Sequence, residues 1–326
     1  MSESAVSQVL NGRPCRLSEE SKLRIRTCAK RLDYRPNRAA RGLATRRSGT
    51  IGLIVPDIEN PFFSSLAKSL EARCRQTGLG LFITNSDDCP EQDCEQLRRL
   101  DALGVDGIVF VPSNDVLSDG EKSVMDALGL VSAPYVMVDR IIEAAECDKV
   151  FVDNEYGAHR AVDYLIESGH RRVGCLANTR SSQNGRLRLA GYENALADHG
   201  IAADPALVCE GDYHGASGYS AVDALVAAGA TAIFSTSDLM TLGVMRRLSE
   251  LGLRVPEDVS VVSFDRNEAS AFFLPNVTSV RQDVGQLSSR AFDLLRARME
   301  GSKAAYELQV SEPELVLGTS VAAPRA

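Results

Sequence analysis

Apolar positions change their spacing near residue 50, from helical periods before it to strand-like runs after it. In the head, Val6, Val9 and Leu10 lie on one helical face of a segment that opens with Ser2 as a cap and stops at Asn11-Gly12. Leu17-Ser18-Glu19-Glu20-Ser21 then sets a capping Ser and two acids at a second helix start. Leu23, Ile25, Cys28, Ala29 and Leu32 give that helix a buried stripe, which ends before Tyr34-Arg35-Pro36. Two short helices joined tightly read as a helix-turn-helix-like fragment. The stretch Asn37 to Thr45 has room for one more short helix, with Arg38, Arg41, Arg46 and Arg47 around Leu43.

From Thr50 the pattern becomes strands alternating with helices. Thr50-Ile51-Gly52-Leu53-Ile54-Val55-Pro56 is a continuous apolar run of the kind found where a sheet is covered on both faces, and Leu79 to Thr84, Val105 to Val111 and Tyr135 to Val138 repeat it. Helical segments over 62–77, 91–103 and 119–129 fill the gaps, which makes a βαβ series and a parallel sheet. A second series begins at Val150-Phe151-Val152 and continues through Arg172 to Leu176, Leu207 to Cys209, Ala232 to Ser235 and Val259 to Phe264. The predicted fold class is α/β: two tandem doubly wound lobes behind a small all-α head. Such sheets place ligands in a crevice at the carboxyl ends of their strands.

Charge sharpens this division. Residues 1 to 50 hold twelve Lys/Arg against four acids, whereas the rest holds 24 against 40, so a basic head precedes an acidic body. That suits a polyanion-binding module joined to a body that must not itself bind polyanions. At 326 residues and 44% hydrophobic, the chain can build two sizeable cores and a small appendage. No apolar run approaches the roughly 18 residues of a membrane span, and polar residues rather than a secretory signal follow Met1, so a soluble cytoplasmic protein is expected. The eight cysteines form no CxxC pair and read as reduced core residues; no metal or cofactor is expected.

Enzyme templates fail: there is no GxGxxG after a strand, no GxxxxGK[ST], no GxSxG and no HExxH. The four histidines are scattered, and His170 in Gly169-His170-Arg171-Arg172 suits a hydrogen-bonding role in a turn. Polar residues nevertheless gather where strands end: Asp57, Asn60, Asp139-Arg140, Asp153-Asn154, Asp238 and Asp265-Arg266. With Phe62, Phe63 and Tyr213 they suit a polyhydroxylated ligand, because carboxylates accept hydroxyl donors and an aromatic face packs on a sugar ring. Each of these residues taken singly also fits a helix cap or a turn.

The chain resembles the LacI/GalR family of ligand-responsive bacterial transcription regulators along nearly its whole length. The likeness rests on Val6-Ser7-Gln8-Val9-Leu10-Asn11-Gly12, Leu32-Asp33-Tyr34-Arg35-Pro36-Asn37, Asn60-Pro61-Phe62-Phe63, Val138-Asp139-Arg140, Arg188-Leu189-Ala190-Gly191-Tyr192, Val255-Pro256-Glu257-Asp258-Val259-Ser260 and Arg281-Gln282-Asp283, all in the family's order. The resemblance implies a DNA-binding head at 1–48 and an effector-binding, dimerising body at 49–326. Lobe one would take about 49–149 and 284–305, and lobe two about 150–283 and 306–326. It implies that Glu3, Ser4 and Gln8 face base edges in the major groove while Ser7 and Asn11 hold phosphates. Asn37 to Thr45 would form a hinge helix in which Leu43 wedges into a minor-groove step beside Ala44, with Tyr34, Asn37, Arg38 and Arg41 completing the DNA-facing set.

The family's effector contacts fall on Asn60, Phe62, Phe63, Asp139, Asn184, Arg188, Tyr213, Ser237 and Asp265. Ser237 departs from the Asn that many relatives carry before the residue that is here Asp238, and Val284 sits where some sugar-binding relatives have an aromatic. The implied partners are near-palindromic operator DNA, a sugar or related polyol, and a second copy of the chain. No leucine-heptad tail follows Val316, which favours a dimer over a tetramer. Relatives also carry a first helix and turn, roughly 15 to 20 residues, before the segment that begins here at Met1. Met1 matches a Val there, so the chain is expected to begin at an internal GTG codon, to leave Val6, Val9 and Leu10 partly exposed, and to bind DNA weakly in this form. Two rival readings share the lobes: a sensor without DNA binding, and a solute-binding protein, which would need an export signal.

Overall fold

The unbroken apolar runs after Thr50 are buried on both faces, as parallel strands require: Ile51, Leu53, Ile54 and Val55 expose no surface. The computed structural model describes residues 3–10, 14–32, 47–114, 120–268, 270–272 and 274–325. Lobe one holds the strands β1 (Thr50–Val55), β2 (Gly80–Asn85), β3 (Ile108–Phe110), β4 (Tyr135–Val138), β5 (Asp148–Val152) and β11 (Leu308–Ser311), in the order β11-β5-β4-β3-β1-β2. Lobe two holds β6 (Val173–Ala177), β7 (Val208–Glu210), β8 (Ala232–Ser235), β9 (Ser260–Phe264), β10 (Thr278–Arg281) and β12 (Glu314–Val316), in the order β12-β10-β9-β8-β6-β7. All neighbours pair parallel except β10 with β12. Each sheet therefore reverses its winding beside its first strand, between β1 and β3 and between β6 and β8, and a crevice opens there at the carboxyl ends.

Helices cover both faces of each sheet. In lobe one, Pro61–Thr77 and Val284–Met299 pack Leu66, Leu70, Leu287 and Phe292 on one face, while Pro90–Ala102 and Glu121–Leu130 pack Leu97, Leu100, Val124 and Leu128 on the other. In lobe two, Asn154–Glu167 and Gln183–Asp198 face Gly215–Ala227 and Asp238–Glu250 across the sheet. The last two helices touch backbone to backbone, since a Cβ at Gly243 would lie 1.9 Å from the Gly215 carbonyl oxygen. Each buried Leu contributes about 1.5–3 kcal/mol against about 0–1 kcal/mol for a surface ion pair, so these four apolar clusters hold the lobes together.

The strand pairing moves the expected lobe boundary. Val150-Phe151-Val152 was expected to open lobe two, yet it belongs to β5 and pairs with β4 in lobe one, with Val138 opposite Val150. Leu308–Ser311, expected in lobe two, pairs parallel with β5 as the edge of the first sheet. An apolar run states that a strand is buried but not which of two similar sheets receives it, and here the receiving edge was β4. The chain thus crosses between lobes after β5, after β10 and after β11.

In the head, the helices Glu3–Leu10 and Glu19–Arg31 form as expected, the second capped by the Ser18 side chain, but the expected buried stripe is corrected, since Ile25 is buried while Leu23, Cys28 and Leu32 are exposed. They pack through Val9 and Ile25, both buried, so the expected exposure of Val9 is corrected; Val6 and Leu10 are half-buried in a groove with Cys28 and Leu32. Arg47 then donates from Nη2 to the Met299 carbonyl, tying the end of the head to lobe one.

One buried ion pair closes the base of lobe one. Asp148, with no exposed surface, accepts from Arg298 Nε at 2.7 Å and Nη2 at 2.9 Å, and from the Glu307 N–H at 2.9 Å. It joins the helix Val284–Met299, β5 and the entry to β11. Arg298→Met leaves that carboxylate buried without a counter-charge, and is expected to lower stability by about 3–5 kcal/mol in urea unfolding.

Candidate ligand-binding cleft

The crevices of the two sheets face each other across one small cavity. Asn60, Phe62, Phe63, Asp139 and Arg140 line it from lobe one, and Asn184, Arg188, Tyr213, Asp265 and Gln282 from lobe two. Eight of the nine effector residues expected from the sequence therefore converge. At about 20 Å³ the cavity has room for about one water, so a ligand of sugar size requires the lobes to part.

Arg188 is the fixed point of lobe two. It rises from the helix Gln183–Asp198, is 3% exposed, and lies 3.7 Å over the Phe264 ring. Its Nε donates to Asn154 Oδ1 at 2.7 Å and its Nη1 to the Thr236 carbonyl at 2.6 Å. Nη1 and Nη2 reach the two Asp265 oxygens at 3.3 and 3.2 Å. Gln282 Nε2 also donates to Asp265. A charge pair buried this deeply is tolerated because almost every N–H and oxygen of it is occupied.

Asp139 is the contrasting group in lobe one. It follows β4, is 5% exposed, and its nearest donors are Asn184 Nδ2 at 3.4 Å and Arg140 Nε at 4.0 Å. Burial pushes its carboxyl up to about 6, with Arg140 and Arg188 pulling the other way. Tyr213 donates or accepts with Ser182 Oγ at 2.8 Å, and burial raises its phenol as well. Asp139, Tyr213 and Asp265 all have positive φ, at 66°, 67° and 71°. Left-handed backbone at non-glycine residues is strained, and here it occurs three times within one cleft.

Several site residues are also caps. Asn60 Oδ1 accepts from the Phe62 N–H at 3.0 Å at the start of Pro61–Thr77, and its side chain still faces the cavity. Ser237 is the exception among the nine, and that expectation is corrected. It is 2% exposed, accepts from the Met240 N–H at 3.2 Å as the cap of Asp238–Glu250, and does not line the cavity. The neighbouring Asp238 is pushed up to about 7 by burial; it accepts from the Asn267 N–H at 2.7 Å and from Ser263 Oγ, and so holds the loop that carries Asp265. Arg140, expected among the polar residues at strand ends, lines the cavity, and so does Gln282, which was not singled out although it stands in a motif that carried the family resemblance. His170 bonds Thr231, Ser260 and the Ala322 carbonyl, a structural role.

Of the DNA-facing set, Glu3, Ser4, Ser7 and Gln8 lie on the helix Glu3–Leu10, with Gln8 exposed. Asn11, Tyr34, Asn37, Arg38, Arg41, Leu43 and Ala44 lie outside the described residues.

A periplasmic binding protein-like domain matches residues 162–321. The HTH-type transcriptional repressor PurR of Vibrio campbellii is 31% identical over 326 residues, covering 98% of this chain and 95% of that protein. The chain belongs to the LacI/GalR family of transcription regulators. Among solved LacI/GalR-type structures, the lac repressor dimer bound to operator and the anti-inducer ONPF is 27% identical, with a TM-score of 0.88 over 99% of this chain and 96% of that one. The regulator CelR in complex with cellobiose is 28% identical, with a TM-score of 0.75 over 98% and 96%. As in other regulators of the LacI/GalR family, the head precedes two lobes that enclose a cleft.

The Asp139 carboxyl generates a pH dependence. A hydroxyl donor binds the ionised form, so a proton competes with ligand below the raised value. Ligand affinity is expected to be level above pH 6 and to fall toward tenfold per unit below it. Calorimetric titration across that range checks this; in Asp139→Asn the slope should vanish.

Proposed function

We propose that the chain is a homodimeric repressor acting in the cytoplasm, whose operator affinity is set by a sugar or related polyol bound between the lobes. The observation that carries this reading is the closed cleft itself, in which a buried, under-partnered carboxylate and aromatic rings of lobe one meet a fully engaged arginine of lobe two. A ligand entering it must change the lobe arrangement, and it shifts DNA affinity only by its differential affinity for the two arrangements. Arg47, three residues before β1, is fixed to lobe one at the Met299 carbonyl, where the chain enters the body. Aromatic and acceptor groups in the cavity favour a polyhydroxylated ligand, and the likeness to a cellobiose-bound regulator supports it.

A second copy is supported by exposed apolar side chains on both lobes. Phe272 and Leu274 are 81% and 94% exposed on lobe two, and Phe82 and Ile83 stand exposed on the edge strand β2 of lobe one. A two-fold dimer would present two heads to a near-palindromic site.

Site selection from random DNA, followed by gel-shift titration with and without candidate sugars, tests the reading. Operator binding is expected to weaken steeply with salt and to change when ligand is added. Arg188→Ala is expected to abolish the ligand response while operator affinity stays within about twofold of the parent. Asn184→Ala gives a milder loss if the first variant proves unstable. An intact ligand response in both variants would overturn the assignment of the cleft, and affinity insensitive to salt and sequence would overturn the regulator reading.

A further inference from the structure

The cavity opens into a second, larger groove of about 440 Å³, which shares Asn60, Phe63, Arg140 and Tyr213 with it and forms its mouth. Carboxylates dominate the remaining wall: Asp57, Glu59, Asp87, Asp88 and Asp212. Asp57 accepts from the Glu59 N–H, Asp87 from Asn85 Nδ2, and Asp212 from the His214 N–H, donors that orient these groups without neutralising them. Among the described residues, no three His, Cys, Asp or Glu side chains converge closely enough to hold a metal ion. The mouth therefore acts through its field, and that field is negative.

The cavity behind it asks for donors rather than acceptors. Gln282 Oε1, on a side chain only 6% exposed, lines the cavity with no hydrogen-bond partner, and Asp139 has only the long contact from Asn184. Neither arginine offers an unpaired charge to an oxyanion, since Arg188 faces Asp265 and Arg140 faces Asp88 and Asp139. Arg188 uses Nε, Nη1 and Nη2 on Asn154, Thr236 and Asp265, and Arg140 uses Nη1 on Asp88 and the Pro112 carbonyl beneath the Phe63 ring.

We infer that the cleft selects an effector without negative charge, a neutral or amine-bearing polyol, and turns away the phosphorylated form of the same molecule. The inference rests on the proposed reading of the cleft as an effector site. A phosphate meets no guanidinium inside whose charge is not already opposed by a carboxylate, and it passes several carboxylates without a counter-charge on the way in, whereas hydroxyl and ammonium donors meet acceptors at both levels.

The test uses the full chain in thermal-shift and calorimetric titrations at low ionic strength with matched probes. These are ribose, glucose, glucosamine and cellobiose, together with ribose 5-phosphate, glucose 6-phosphate and glucosamine 6-phosphate. A response is expected only from unphosphorylated members, with the phosphorylated partner of any responding sugar at least about tenfold weaker and the gap narrowing as salt is raised. Neutralising the mouth with E59Q, D87N and D212N together should narrow the same gap, and E59Q with D87N alone serves if the triple variant folds poorly. A phosphorylated probe binding as well as its partner, or a gap unchanged in both variants, overturns the inference and leaves the effector reading standing. No response to any probe, in protein that still binds its selected DNA site, overturns the effector reading on which the inference rests.

Discussion

The chain passes between its two sheets three times, and the rest of the body is arranged around that constraint. Neither lobe is a continuous segment: lobe one needs Val284–Met299 and β11 to finish its core and edge, and lobe two needs β12. The passage after β10 runs at the cleft, where Gln282 lines it, and those after β5 and β11 run side by side, joined by the Asp153 N–H to the Ser311 carbonyl at 2.9 Å. Three connecting segments, two running from lobe one to lobe two and one running back, suit a hinge rotation of one lobe against the other. The cavity walls, set on opposite sides of those passages, can therefore separate while each wall keeps its internal geometry.

Internal geometry differs between the walls. Lobe two supplies a rigid floor, in which Arg188 is stacked on Phe264 and bonded on nearly every side. Lobe one supplies Asp139, whose charge is poorly met by its own neighbours. A bound molecule thus gains more from lobe one's unmet acceptor than from lobe two's satisfied guanidinium. Arg188 then matters to binding by holding Asp265 and the shape of the floor, more than by offering new hydrogen bonds.

Most of the fold was legible in the sequence because parallel strands buried on both faces write themselves as unbroken apolar runs. What that signal omits is partnership. Val150-Phe151-Val152 looks alike whether it joins β4 or begins a new sheet, and only the pairing of Val138 with Val150 decides. Strand-end position and residue type pointed to Asn60, Asp139 and Asp265 with Phe62, Phe63 and Tyr213, and the family resemblance added Asn184 and Arg188; these eight of the nine expected side chains line the cavity. Ser237 does not, because a short hydroxyl at a helix start is consumed by the Met240 N–H and has no reach left over. Arg140 was legible as a polar residue at a strand end, whereas Gln282 was visible only as a motif letter, because its reach into the cavity depends on the approach of β10, which no local pattern encodes.

The strain in the cleft follows from the same division of labour. Asp139, Tyr213 and Asp265 adopt left-handed backbone just after β4, β7 and β9. For Asp139 and Asp265 the residue directly after the strand turns into the opening, and Tyr213 does so three residues beyond the end of β7. Glycine would adopt that backbone at lower cost, yet it offers no carboxylate or phenol. The chain therefore accepts strain of about 1–3 kcal/mol at each position, which the apolar clusters beneath can absorb many times over. Backbone strain at Asp139, Tyr213 and Asp265 and the unpartnered Gln282 Oε1 thus coincide at the junction of the two lobes, and that coincidence is what the proposed effector site rests on.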